Sequence, residues 1–105
     1  MKLKQIIDGK TYNTETAEKI GEYWNGLGSN DFGYVYEGIY KTARGNYFLA
    51  GQGGCQSKYA TNEGNSVYFG KNIEPLYEEE IIPMLERWGE TEAIEKHFSH
   101  MIEEA

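Results

Sequence analysis

The chain has 105 residues, of which 39% are hydrophobic, and a formal net charge of −7. This length and composition predict a single folded domain over residues 1–105, with a core that needs no metal or disulfide. No apolar run approaches the roughly 18 residues of a transmembrane helix, and the first four residues lack the apolar segment of a signal peptide. We therefore expect a cytoplasmic protein that does not bind a membrane, and its one cysteine, Cys55, suits a reducing compartment.

The negative charge is concentrated in the last third of the chain. Residues 1–73 carry 8 Lys and Arg against 7 Asp and Glu, a net of +1, whereas residues 74–105 carry 2 against 10, a net of −8. Such a surface repels nucleic acid, because phosphates are recognised by Lys and Arg. We expect no direct nucleic acid binding and instead a protein partner with a basic groove; the alternative is that the acidic segment serves solubility alone.

The first third of the sequence predicts a hairpin and then a helix. Asp8 and Gly9 lie between two short runs with apolar residues, which is typical of a tight β-hairpin turn. Asn13 or Thr14 then provides a helix cap through its short side-chain oxygen. Four apolar residues at helical spacing predict an N-terminal helix that ends at the following glycines; they are Ala17, Ile20, Trp24 and Leu27.

Residues 34–54 hold the densest run of aromatic and β-branched side chains and predict the central hairpin. A turn closed by Gly45 pairs Tyr40 with Phe48. Both faces of this hairpin are apolar, which implies that both are covered or that one is left for a partner. The glycines within 51–54 are expected to break the second strand.

The last half predicts a loop at 55–66, a third strand at 66–69 and a short extended piece at 72–75. Two acidic helices follow, the first with Pro83 in its first turn and the second capped by Thr91. The predicted fold class is α+β. It has a small central antiparallel sheet built on the central hairpin, one N-terminal helix and two C-terminal helices packed against one face.

Three patterns point only weakly to chemistry. Cys55 follows two glycines, but the histidines that would serve as its base lie in the most acidic part of the chain, where a thiolate is disfavoured. His97 and His100 stand three apart, unlike the spacing of four in a zinc-binding helix. The glycines of 51–54 lack the further glycine of a dinucleotide loop, since position 56 is Gln56. We therefore expect a protein that is not an enzyme and binds no cofactor or metal.

Carboxylates and aromatic side chains are the remaining candidates for a site. Carboxylates on consecutive helical turns recur every roughly 5–6 Å, which is comparable with phosphate spacing along a nucleic acid strand. Acidic helices therefore suit a groove that normally holds DNA, while aromatic side chains supply central anchors. The candidate partner-binding residues are Glu78, Glu79, Glu80, Glu86, Glu90, Glu92, Glu95, Tyr36, Tyr40 and Tyr59.

An ordered series of short blocks covers most of the chain, including DGKTYNTETA at 8–17, EGIYKT at 37–42, GNYFLAGQGG at 45–54 and SKYA at 57–60. These blocks resemble a family of short proteins of phages and conjugative elements of gut Firmicutes. The chain is also similar to the small anti-CRISPR proteins that inhibit a type II RNA-guided DNA nuclease. The resemblance implies an inhibitor that acts in the cytoplasm of a bacterial host cell, with that CRISPR effector nuclease as its partner, and it supplies no catalytic motif.

A second interpretation stays open beside this one. The chain would then be an accessory protein-binding module of a mobile element, without a nuclease target. Such a module is a monomer, or a homodimer joined through the aromatic face of the central hairpin.

Overall fold

The computed structural model describes residues 1–105, and most of its regular structure is β-sheet. Eight strands form three antiparallel sheets, and two α-helices follow them. The strands are β1 (Lys4–Ile7), β2 (Lys10–Asn13), β3 (Glu18–Trp24), β4 (Val35–Lys41), β5 (Tyr47–Gly53), β6 (Thr61–Glu63), β7 (Ser66–Tyr68) and β8 (Gly70–Leu76). The helices are α1 (Glu78–Trp88) and α2 (Thr91–Phe98), and a 3₁₀ turn at Ser99–Met101 follows α2.

The predicted α+β fold with three helices is wrong, because the segment expected to form the N-terminal helix is strand β3. This strand is one edge of the four-stranded central sheet, whose order is β3-β4-β5-β8. A β-bulge between Lys19 and Gly21 shifts the register of β3 against β4. As a result Ile20 and Tyr23, three residues apart, both contact the helices. The predicted apolar stripe is consequently divided, since Ile20 packs against the helices, Ala17 packs against the core on the opposite face and Trp24 is exposed.

Both predicted hairpins are confirmed. Asp8 (φ 52°) and Gly9 (φ 75°) join β1 to β2 with the two positive φ angles that a type I′ turn requires. Gly45 (φ 87°) closes the turn between β4 and β5, and Tyr40 pairs with Phe48 as predicted. Local turn chemistry therefore sets the register of both hairpins.

The region after the central hairpin is more regular than predicted. Strand β5 continues to Gly53 instead of breaking at Gly51, and the predicted loop at 55–66 contains strand β6, which pairs with β7. Strand β8 is longer than the piece expected at 72–75, and it pairs with β5 along its whole length. The central sheet consequently has four strands.

The glycines of β5 are explained by the loop that follows them. A Cβ on Gly51 would lie 2.0 Å from the Tyr59 ring, and one on Gly53 would lie 2.2 Å from the Ser57 hydroxyl oxygen. A Cβ on Gly70 would lie 1.9 Å from the Tyr59 carbonyl oxygen. These glycines therefore give the loop at 55–60 the space to lie directly on the sheet.

Each face of the central sheet is covered by a different element, which is one of the two alternatives that its apolar faces allowed. On one face the helices complete a core formed by Ile20, Ile39, Leu49, Ile81, Leu85, Ala93, Ile94 and Phe98. On the other face the β1–β2 hairpin completes a second core formed by Tyr12, Tyr40, Phe48, Ala50 and Ile73. The molecule thus has a helical side and a hairpin side.

Helix α1 begins and ends at recognisable caps. The Tyr77 N–H donates to Glu80 Oε2 at 2.7 Å, which satisfies an amide at the helix N-terminus, and Gly89 (φ 72°) ends the helix. Pro83 lies in the middle of α1 and not in its first turn, so that prediction is wrong. Because proline has no backbone N–H, the Glu79 carbonyl lacks its usual helical donor.

Candidate protein-binding surfaces

The two helices carry most of the candidate carboxylates. We name as the acidic helical surface the residues Glu78, Glu79, Glu80, Glu86, Glu90, Glu92 and Glu95. None of these carboxylates forms an ion pair. The cations on these helices are Arg87 and Lys96. A surface with many more carboxylates than cations attracts basic partners over long range.

The members of the acidic helical surface differ in their freedom to bind. Glu79 and Glu86 are exposed, two helical turns apart, on the side of α1 opposite its buried residues. The Glu80 carboxylate accepts the hydrogen bond that caps α1. Glu90 is half-buried in the turn between the helices. Glu79 and Glu86 are therefore better suited to meet a partner than Glu80 or Glu90.

A buried carboxylate holds Tyr59 in place. Glu37 is 4% exposed; its Oε2 accepts a hydrogen bond from the Tyr59 hydroxyl and lies 2.8 Å from Lys58 Nζ. Burial, and then the hydrogen bond to Glu37, raise the pKa of Tyr59 far above its ordinary range. Glu37 was not among the residues predicted from the sequence, although a charged residue in the middle of an apolar strand was a visible signal. This cluster fixes the loop at 55–60 on the helical side.

The other two candidate tyrosines lie on the hairpin side. Tyr40 is 4% exposed and stacks on Phe48 with ring centroids 5.2 Å apart, beneath the β1–β2 hairpin. Tyr36 is half-buried, and its hydroxyl donates to Glu22 and accepts from Lys19 Nζ at 3.0 Å. Burial is the main cause that raises the pKa of Tyr36. The ten candidate residues therefore do not form one surface, since the sheet separates Tyr36 and Tyr40 from the glutamates.

Next to Tyr36 lies an open groove of about 330 Å³, which was not predicted from the sequence. We name it the aromatic groove; its lining residues are Glu22, Trp24, Leu27, Gly28, Ser29, Tyr34 and Tyr36. Trp24 was expected in the buried stripe of the N-terminal helix, yet it is 57% exposed. Its position could be found only by recognising β3 as a bulged strand.

The residues weighed for other chemistry are dispersed. Cys55 is half-buried in the loop after β5. His97 lies in α2 beside Phe98, whereas His100 lies in the 3₁₀ turn, so the two histidines do not share an α-helix. No group of three or more His, Cys, Asp or Glu side chains is placed to hold a metal ion. Neither helix has the length and apolarity that crossing a membrane requires.

Comparison with known proteins identifies no relative of this chain. No family model, curated protein or solved structure matches this chain. The resemblance to proteins of phages and conjugative elements stays an expectation from the sequence blocks. The functional proposal therefore depends mainly on the surfaces of the chain itself.

Proposed function

We propose that this chain is a non-enzymatic inhibitor that binds a type II CRISPR RNA-guided DNA nuclease at a basic nucleic-acid-binding groove. The observation that carries the proposal is the acidic helical surface, with six glutamates on two adjacent helices and a seventh in the turn between them, none of which forms an ion pair. A nuclease of this class reads a short duplex motif with arginines and holds the heteroduplex in a positively charged channel. The acidic helical surface of this chain and the positively charged channel of such a nuclease are therefore complementary in charge.

The glutamates and the aromatic side chains have different roles in this proposal. Charge complementarity mainly accelerates encounter and selects the partner, whereas desolvated aromatic anchors supply most of the affinity. The sequence resemblance supports the choice of nuclease. The site of action is then the cytoplasm of a bacterial host cell, where a CRISPR nuclease meets its target DNA.

A DNA-cleavage assay with purified nuclease tests the proposal. The informative variant is Glu79→Lys/Glu86→Lys, because it reverses two exposed carboxylates and leaves the Glu80 cap intact. We expect this variant to inhibit cleavage more weakly than the unmodified chain. The matched control, Glu15→Lys/Glu63→Lys, makes the same change in net charge at exposed positions away from the helices. Equal inhibition by the two variants would contradict the proposed role of the helices.

The order of addition identifies the step that is blocked. The chain is added to the nuclease before guide loading in one series and after guide loading in another. Inhibition in both series indicates competition with DNA, whereas inhibition only in the first indicates a block of guide loading. Cleavage unaffected in both series would contradict the proposed target.

A second candidate function is an accessory protein-binding module, and it is favoured by apolar side chains left exposed at one end of the sheet. Trp24 is 57%, Phe32 62% and Phe69 42% exposed, and exposed apolar patches mark interaction surfaces. A homodimer through Tyr40 and Phe48 would have to displace the β1–β2 hairpin that covers them. Light scattering distinguishes the candidates, because a dimer that binds no guide-loaded nuclease favours the module.

A further inference from the structure

The aromatic groove occupies the part of the hairpin side that the β1–β2 hairpin leaves uncovered. That hairpin packs over Tyr40 and Phe48, toward the end of β4 and the start of β5. At the opposite end, where β3 ends and β4 begins, Trp24 pairs with Tyr36 across the two strands. The groove is therefore open to solvent and separated by the sheet from the acidic helical surface.

Hydrogen bonds hold the aromatic walls of the groove in position. The Trp24 indole N–H donates to the Leu27 carbonyl oxygen at 2.7 Å. The Tyr34 hydroxyl accepts from the Gln52 amide at 2.9 Å, and the Tyr36 hydroxyl is hydrogen-bonded within the sheet as described above. Rings that are already fixed lose little conformational entropy when a ligand contacts them.

Glu22 supplies the carboxylate of this aromatic groove, and one of its two oxygens forms an ion pair with Lys19. Its Oε1 accepts hydrogen bonds from the Tyr36 hydroxyl and from Lys19 Nζ, at 2.5 and 2.9 Å, while its Oε2 accepts none from the protein. These two hydrogen bonds also lower the pKa of Glu22, so its carboxylate is ionised at neutral pH. Lys19 Nζ lies 5.7 Å from the Tyr36 ring centroid but does not line the groove.

We propose that the aromatic groove binds an arginine side chain of a basic protein partner, with the guanidinium against Trp24 and the free oxygen of Glu22. A cation is attracted to the face of an aromatic ring, most strongly to that of Trp. Arginine is preferred to lysine because its planar guanidinium stacks on a ring and still donates to a carboxylate. An aliphatic side chain would contact the rings but would not interact with the carboxylate of Glu22.

This inference rests on the proposed function only for the basic character of the partner. The acidic helical surface and the aromatic groove then meet two parts of one basic protein. The acidic surface would mainly steer the encounter, and the groove would hold one side chain in a defined position.

The test uses small probes and no nuclease. The blocked amino acid N-acetyl-arginine N-methylamide is titrated into the full chain while the indole N–H resonances are followed by NMR. We expect the Trp24 resonance to shift and that of Trp88, which packs on Tyr23 on the helical side, to stay unchanged. The matching lysine derivative should cause a smaller shift and the norleucine derivative none. Glu22→Gln should weaken arginine binding by up to about fivefold, as expected for an exposed ion pair.

Several outcomes would overturn the inference. If the arginine derivative did not shift the Trp24 resonance, the proposed site would be excluded. If the lysine derivative caused an equal shift, the groove would have no preference for arginine. An equal shift with the norleucine derivative would show that the groove binds apolar side chains and not a cation. Trp24→Phe, which keeps a ring, should retain part of the binding detected at other groove resonances, whereas Trp24→Ala should lose it. Because the cleavage assay is separate, arginine binding without inhibition would reject the proposed function alone, and inhibition without arginine binding would reject the groove alone.

Discussion

At the scale of single residues, Glu37 is notable because its buried carboxylate requires both an ion-pair partner and a hydrogen-bond donor. An ionised carboxylate buried in an apolar sheet is costly unless it is paired and hydrogen-bonded. Lys58 supplies the charge and the Tyr59 hydroxyl supplies a hydrogen bond, while Gly51 leaves room for the Tyr59 ring. One buried carboxylate thus explains why the loop at 55–60 has a defined position.

Removing the Tyr59 hydroxyl should therefore destabilise the fold. Tyr59→Phe keeps the ring over Gly51 but takes from Glu37 a hydrogen bond to a charged group, for which we expect a loss of about 1–3 kcal/mol in the free energy of unfolding. Denaturant unfolding measures the loss. Tyr68→Phe is the matched control, because Tyr68 is exposed and its hydroxyl makes no hydrogen bond with the protein. A loss no greater than that of the control would show that Glu37 does not need Tyr59.

The same tyrosine predicts how stability depends on pH. In the unfolded chain Tyr59 ionises near its ordinary pKa of about 10, whereas in the folded chain burial and Glu37 keep the phenol neutral to higher pH. Above about pH 10 the unfolded state therefore binds fewer protons than the folded state, and the free energy of unfolding falls as pH rises.

We expect this fall to be steeper for the unmodified chain than for Tyr59→Phe between about pH 9 and about pH 11. Denaturant unfolding at several pH values in that range provides the measurement. The pKa values of Tyr36 and Tyr40 are also raised, but both residues are present in the two proteins, so the difference in slope isolates Tyr59. Parallel slopes would contradict the prediction.

At the scale of elements, turns were predictable and β3 was not. Asp8-Gly9 and Gly45 act through local backbone preferences, which a sequence displays directly. Strand β3 contains a bulge at a point where α1 packs closely on it, because a Cβ on Gly21 would lie 2.6 Å from Leu85 Cδ2. A sequence does not display that contact. Gly21 in the middle of the supposed helix was the one local signal against it.

Helix α1 lacks one backbone hydrogen bond because of Pro83, and a substitution of this proline should stabilise the fold. Pro83 is exposed in the helix interior and has no N–H to donate to the Glu79 carbonyl. Pro83→Ala restores that hydrogen bond and removes the ring, so we expect the free energy of unfolding to rise by about 1–3 kcal/mol. Thermal unfolding followed by circular dichroism measures the change. Pro83→Gly serves as the control, because it also restores the N–H but glycine is less favourable than alanine in a helix interior, so it should stabilise less. A lower unfolding temperature for Pro83→Ala would contradict the prediction.

At the scale of the whole molecule, the central sheet separates layers of opposite character. The β1–β2 hairpin and the segment before it carry Lys2, Lys4 and Lys10, whereas the helices on the other face carry the acidic helical surface. The acidic surface was predictable because its charges are adjacent in the sequence. The aromatic groove was not, since it depends on the register of β3 against β4 and on which part of the sheet the β1–β2 hairpin covers.

Under the proposed function, this separation of charge should make association with a guide-loaded nuclease sensitive to salt. Exposed charges interact over about 10 Å at 0.1 M ionic strength but over only about 3 Å at 1 M. We expect the association rate constant to fall as salt is raised, and the dissociation rate constant to change less, because aromatic contacts hold the complex once it has formed. Stopped-flow measurements at several salt concentrations give both constants. Glu79→Lys/Glu86→Lys should show a weaker salt dependence of association than Glu15→Lys/Glu63→Lys. If the two variants depended on salt equally, the net charge of the chain and not the placement of its glutamates would control the encounter.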